Sequence, residues 1–180
     1  MLNLKSFGQV DQRTHLFLKQ NPSISESLIE ELGKSLSQVA TLIEPILNAP
    51  SRCEVSSNYI QAVTTGRTTF LTTNLTNVCS TQVTEMANSW LIGRSSNCAI
   101  AILEKSISRC HAVIGHHPHE GFYMMDLGSS NGTWVNHTKL VPLQQQFLKD
   151  GDLIEFNKIR AEFFISGYTA PPPMLQETHY

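Results

Sequence analysis

Asp126-Leu127-Gly128-Ser129-Ser130-Asn131-Gly132-Thr133 sets two hydroxyls, a carboxamide and two glycines between the apolar runs 122–127 and 133–135. Glycine accepts positive φ at no steric cost, and Ser and Asn side chains bond nearby backbone. Such a run between β-prone segments therefore reads as a tight polar loop joining two strands. Hydroxyls and backbone N–H groups held in a loop of this kind bind phosphate well, and a nearby guanidinium would supply the balancing charge. Two arginines precede the loop in short motifs, Gly93-Arg94 and Ser108-Arg109-Cys110-His111.

The loop belongs to a longer strand pattern. Residues 90–93, 98–102, 107–114, 122–127, 133–136, 152–156 and 161–166 are short β-prone runs separated by Ser, Asn, Gly and Pro. No long helical period interrupts them, which predicts a mainly β, antiparallel sandwich or barrel. Ahead of it, residues 50–79 are rich in Ser, Thr and Asn and nearly free of charge. That composition reads as a linker, although the β-branched residues of 68–73 and 78–86 have the makings of a first strand. The threonines of 64–84 also offer sites for phosphorylation.

Farther upstream, Ile29, Leu32, Leu36, Val39 and Ile43 recur at spacings of three and four. This is the period of one helix face, and it predicts a helix from Ser23 to about Glu44. Ser23 with Glu26 matches a capping box, and Pro45 marks the stop. Leu16, Phe17 and Leu18 suggest a short helix before it. Gly33 and several Ser and Thr residues make intrinsic helicity modest, so the stripe needs a partner surface, either the rest of the chain or a second copy. The expected organisation is a helical region at 1–49, a linker at 50–79, a sandwich at 80–168 and a mobile tail at 169–180.

Bulk properties narrow the function. The chain has 180 residues, 41% of them hydrophobic, with a net charge of −2. That balance gives no general attraction to nucleic acid or anionic membrane, so any anion recognition is local. No apolar run is long enough to span a bilayer, and the first residues lack a signal-peptide core, so the sequence reads as a soluble, cytoplasmic protein. Cys53, Cys79, Cys98 and Cys110 form no C-x-x-C pair, and Cys98 and Cys110 read as small core residues.

Taken in order, Gly93-Arg94, Ser108-x-x-His111, the 126–136 run and Leu148-x-x-Gly151-Asp152-x-Ile154 resemble a forkhead-associated (FHA) domain over about 80–167. The resemblance implies a β-sandwich of about eleven strands that binds phosphothreonine peptides through loops at one end. It implies that Arg94, Ser108 and Ser130 meet the phosphate, that Asn131 grips the peptide backbone and that Arg109 points toward the ligand. Gly93, His111 and Gly132 would hold the loops in shape. The implied partner is a phosphothreonine protein downstream of a Ser/Thr kinase. Three positions depart from the family: Ala99 replaces a common acidic residue, while His137 and Asn157 stand at frequent turn glycines.

His116-His117-Pro118-His119 reads as a polar hairpin tip rather than a metal site, since a site needs several converging ligands. No G-x-S-x-G elbow, P-loop or H-E-x-x-H appears, so the sequence reads as a non-enzyme with no cofactor or metal. The competing reading is a phosphorylation-independent scaffold assembled through the amino-terminal helix.

Overall fold

In this computed structural model, which describes residues 11–33, 35–76 and 80–167, three helices precede the strands. They are α1 (Gln12–Gln20), α2 (Pro22–Leu32) and α3 (Leu36–Arg52). The strands are β1 (Tyr59–Thr64), β2 (Thr69–Thr73), β3 (Gln82–Val83), β4 (Ser89–Gly93), β5 (Ile100–Ala101) and β6 (Ala112–His117). The rest are β7 (Gly121–Asp126), β8 (Trp134–Val135), β9 (Thr138–Lys139), β10 (Gln146–Phe147), β11 (Asp152–Phe156) and β12 (Ile159–Gly167). One sheet runs β3-β2-β1-β12-β11-β8-β9, the other β10-β7-β6-β4-β5. They stack as the expected sandwich around a core that includes Trp90, Ile92, Ile114, Phe122, Ile154, Phe156 and Phe163. Most pairs are antiparallel; β1–β12 and β4–β5 are parallel.

The segment expected to be a linker supplies β1 and β2, and β1 lies inside the seven-stranded sheet, paired with β12 and β2. Thr65, Thr68, Thr69, Thr72, Thr73 and Thr84 are buried, in β2 or beside the strands, rather than exposed as phosphorylation sites. Backbone and side-chain partners satisfy most of their hydroxyls. Thr73 Oγ1 donates to Tyr59 O at 2.5 Å, and Thr84 Oγ1 accepts from Leu71 N–H at 2.9 Å. A buried hydroxyl with a partner is tolerated, and the β-branched body fits the pleat.

The long helix expected from Ser23 to Glu44 is instead two helices. α2 starts with Pro22 in its first turn, ahead of the Ser23 box. It ends at Gly33, whose φ of 64° and ψ of −165° belong to a region open essentially to glycine alone. α3 then runs through Pro45 and Pro50. An interior proline costs about 3 kcal/mol. Burial of Val39, Leu42, Ile43 and Ile46, at about 1.5–3 kcal/mol each, offsets it. The apolar stripe packs on this chain's own sheet: Leu28, Val39, Leu42 and Ile43 cluster with Val63 and Phe70. The tail expected at 169–180 and Cys79 lie outside the described residues.

Where α3 gives way to β1, the Glu162 carboxylate on β12 accepts the amides of Glu54, Val55 and Ser56 at 2.7–2.8 Å. Burial alone would push its pKa up, but these backbone hydrogen bonds outweigh it and hold the carboxyl below its ordinary value. A depressed folded pKa adds stability that is complete above the unfolded pKa, about 4.3, and is lost as pH falls through the lower folded value. Glu162→Gln is therefore expected to lower the melting temperature at pH 7 and to flatten its decline below about pH 4. An unchanged acid slope in calorimetric melts would refute this role.

Candidate functional site

The polar loop between β7 and β8 is built around Asp126, the last residue of β7, which is 1% exposed. Its Oδ1 accepts the amides of Gly128 at 2.8 Å and Ser129 at 2.9 Å. Its Oδ2 accepts the hydroxyls of Ser129 at 2.6 Å and Thr133 at 2.7 Å. Burial pushes the carboxyl pKa up, but these four hydrogen bonds outweigh it and keep the group below its usual range. The Ser129 hydroxyl also accepts the Gly132 amide at 2.9 Å, and Gly132 holds a φ of 83°. An aspartate followed by Gly at the second position and Ser at the third is the sequence signal for this organiser. Sequence reasoning quoted Asp126 but gave it no role.

The facing loop lies between β5 and β6. Residues 107–111, expected to be strand, leave the ladder because their backbone serves other partners. Ser108 O accepts Arg94 N–H at 2.9 Å, and Arg109 O accepts Ser95 N–H at 3.2 Å. Gly93 makes this close approach possible: a Cβ there would sit 2.2 Å from Arg109 O. Cys98 is buried and donates to Arg109 O at 3.3 Å. Cys110, expected in the core, is exposed.

His111 joins the two loops. Its Nδ1 accepts Ser108 N–H at 3.1 Å, which leaves the ring proton on Nε2 for Gly132 O at 3.0 Å. The ring is fully buried against Phe156, edge to face, with centroids 5.5 Å apart. Above it the Ser108 hydroxyl accepts Ser130 N–H at 3.0 Å and lies 3.4 Å from Ser130 Oγ. Asn131 Nδ2 donates to Ser106 O at 2.7 Å. That second bridge leaves Asn131 Oδ1 to accept from a ligand.

These loops border an open groove of about 310 Å³ lined by Arg94, Ser108, Arg109, Ser130 and Asn131, together with Lys105 and Ser106. All five residues singled out for ligand contact thus share one surface, with Gly93, His111 and Gly132 in the loops around and beneath it. Arg94 Nε donates to Ile107 O at 3.1 Å, which orients the guanidinium and leaves its terminal nitrogens for an anion. Lys139, whose Cε would lie 2.6 Å from a Cβ at Gly132, is a further cation near the Asn131 side that sequence reasoning did not name.

His137, which stands at a frequent turn glycine, is turned away from the groove. With Asn136 it forms the two-residue β8–β9 turn at φ of 65° and 50°, and its ring meets Glu155 at 2.8 Å. The histidines of 116–119 do not converge either. His116 packs on Phe122 and His117 stacks on Tyr123, and no group of three metal-ligating side chains occurs among the described residues. No helix among them is long and apolar enough to cross a membrane.

The sequence profile of the FHA domain matches residues 90–157. Kanadaptin of Homo sapiens is 32% identical over 87 residues, 43% of this chain and 12% of its own length. The E3 ubiquitin-protein ligase RNF8 of Mus musculus is 35% identical over 68 residues, 36% of this chain and 14% of its own length. The chain thus matches only a small part of these relatives. Among solved structures, the N-terminal FHA domain of S. cerevisiae Rad53p in complex with a phosphothreonine peptide is 30% identical. The match covers 37% of this chain and 53% of that one, with a TM-score of 0.35.

Gly93→Ala should displace Arg109 and with it the groove, because the added methyl meets backbone rather than a flexible side chain. The expected outcome is a loss of anion binding larger than for Gly128→Ala, where a Cβ meets nothing within 4 Å and the cost is backbone strain. Titration of both variants with a phosphothreonine peptide checks this order; equal losses would contradict it.

Proposed function

Since residues 90–157 of this chain are an FHA domain, we propose that the protein is a non-enzymatic reader of phosphothreonine that recruits a partner after a Ser/Thr kinase has modified it. The observation that carries this reading is the groove in which Arg94, Ser108, Arg109 and Ser130 meet on two loops locked together by His111.

The chemistry supports an anion of phosphate size. A phosphorylated threonine carries about −1.5 to −2 charges and three acceptor oxygens. Arg94 offers terminal guanidinium N–H donors, and the hydroxyls of Ser108 and Ser130 offer two more, 3.4 Å apart. A phosphate oxygen entering between these hydroxyls replaces a weak contact between them with two charge-assisted hydrogen bonds. Asn131 is held by Ser106 through its amide nitrogen, which fixes its carbonyl oxygen as an acceptor for a peptide N–H. Lys105 and Arg109 add positive charge along the rim.

The loops are held by hydrogen bonds within the chain, and such preorganisation favours affinity. A handful of charge-assisted contacts is enough for the micromolar range, about −8 kcal/mol, that suits a reversible switch. No carboxylate or thiol in the groove stands beside a base, and the reading assigns no catalysis to the domain.

Arg94→Ala is expected to weaken binding of a phosphothreonine peptide at least about tenfold, or about 1.4 kcal/mol, with little change in melting temperature because Arg94 is exposed. Fluorescence polarisation with matched phosphorylated and unphosphorylated peptides measures it. Equal binding by Arg94→Ala and wild type would overturn the site. Co-purification of partners that survives phosphatase treatment would favour a phosphorylation-independent scaffold.

A further inference from the structure

The two sheets are treated differently on their outer faces. Val63 and Phe70, on the seven-stranded sheet, are covered by the helices. Among the described residues the outer face of the five-stranded sheet has no such cover, yet it is apolar. Its register aligns Leu91 with Val113 and Val113 with Met125 in one row. The next row aligns Ser89, Gly115, Tyr123 and Phe147. None of these side chains is charged, whereas an antiparallel sheet facing water ordinarily alternates apolar inside and polar outside. Leu143, 69% exposed at a φ of 64°, and Phe147, 39% exposed, extend the surface along the β10 edge. A contiguous apolar surface of this kind marks a contact site.

Its aromatic end has a defined shape. The Tyr123 ring lies over Gly115, where a Cβ would come within 2.1 Å of the ring. His117 stacks on Tyr123 at 4.9 Å and 25°, and Phe147 meets Tyr123 edge on at 6.2 Å. These rings make a shallow platform at the end of the sheet opposite the phosphate-binding loops.

We propose that this platform is covered by the chain's own segment 170–175, Ala-Pro-Pro-Pro-Met-Leu. Three observations select this occupant. The first is chemistry: consecutive prolines favour the extended polyproline II form, which docks on aromatic grooves at small entropic cost. The segment also carries no charge, matching a face with none. The second is position. β8 leaves the phosphate-binding loop, β11 runs back toward it and β12 runs away again, so Gly167 emerges at the end where His117 and Tyr123 lie. Phe163 packs on Phe122 at 5.9 Å, which places β12 across the core from β7.

The third is reach. Gly167 stands about 13 Å beyond Phe163 along the strand, and the sheets are about 10 Å apart. Passing over the β6–β7 turn to the outer side of Tyr123 therefore needs about 20 Å. Eight residues at about 3.1 Å each bring Leu175 some 25 Å from Gly167. At that rise Pro173 and Met174 would reach the rings, with Leu175 extending toward Met125.

The test places a photo-crosslinking p-benzoylphenylalanine at Met174 of the full chain and maps the product by mass spectrometry. The expected result is a crosslink within one chain to residues 112–126 or 146–147. Its yield should fall at least about fivefold in Tyr123→Ser and in Phe147→Ser, each checked for a cooperative thermal melt; the exposed Phe147 position keeps the test usable if Tyr123→Ser does not fold. A crosslink to the groove between α1 and α3, a product of doubled mass from a second copy, or no specific product would overturn the proposal. So would a yield unchanged in a folded variant. None of these results depends on phosphopeptide binding.

Discussion

One imidazole holds the loop end of this protein together. The two loops that meet there come from different strand connections, and their spacing is fixed by groups that bond across from one to the other. His111 does so from beneath, accepting from Ser108 N–H and donating to Gly132 O. Burial gives the bridge its strength, because a partner lost inside the protein leaves an unsatisfied polar group costing about 1–3 kcal/mol. Ser108 and Ser130 are then neighbours by construction. The remaining features depend on that spacing: Asp126 shapes one loop, Gly93 admits the Arg109 carbonyl behind the other, and Asn131 closes the top onto Ser106.

Charge is distributed to keep this end receptive to anions although the whole chain is slightly acidic. Among the described residues, the buried carboxylates Asp126 and Glu162 are satisfied by amides and hydroxyls rather than by cations, while the third, Glu155, pairs with His137 and Arg160. Backbone N–H groups can stabilise a carboxylate without drawing in an arginine. The ion pairs among the described residues use Arg52, His137 and Arg160, all away from the groove. Arg94, Lys105 and Arg109 consequently keep their charge for a ligand, and a local patch does what net charge does not.

The parts legible in the sequence were those whose causes are local. A loop with glycines at positive φ, polar residues bonding their own backbone and strands bounded by turn residues announces itself within a dozen positions, and the 126–133 run did so. The missed parts had distant causes. Threonines 64–73 looked like linker because their hydroxyl partners, such as Tyr59 O, become visible only once β1 and β2 pair. The break at Gly33 was hidden because Leu32 and Leu36 keep helical spacing across it, although the buried side chains are Ile24, Leu28, Val39 and Ile43. Pro45 looked like a stop because the burial that offsets it is tertiary. Cys110 looked like core because composition carries no record of a strand that begins at Ala112 rather than at Ile107.

The same topology separates the helices from the loop end. β1 runs parallel to β12 and away from the loops, so the β1–β2 turn lies at the opposite end of the sandwich. α2 grips it there: Ser27 Oγ meets Thr68 Oγ1 at 2.7 Å, and Glu31 accepts Arg67 N–H at 3.3 Å and the Thr65 hydroxyl. Coupling between helices and ligand would therefore have to pass along β1 and β12, through the close-packed core that joins Phe163 to Phe122. Such a core resists gradual deformation. A helical layer attached this way supports the sheet that carries β11 and β8, and through them the Asp126 loop, without touching the groove itself.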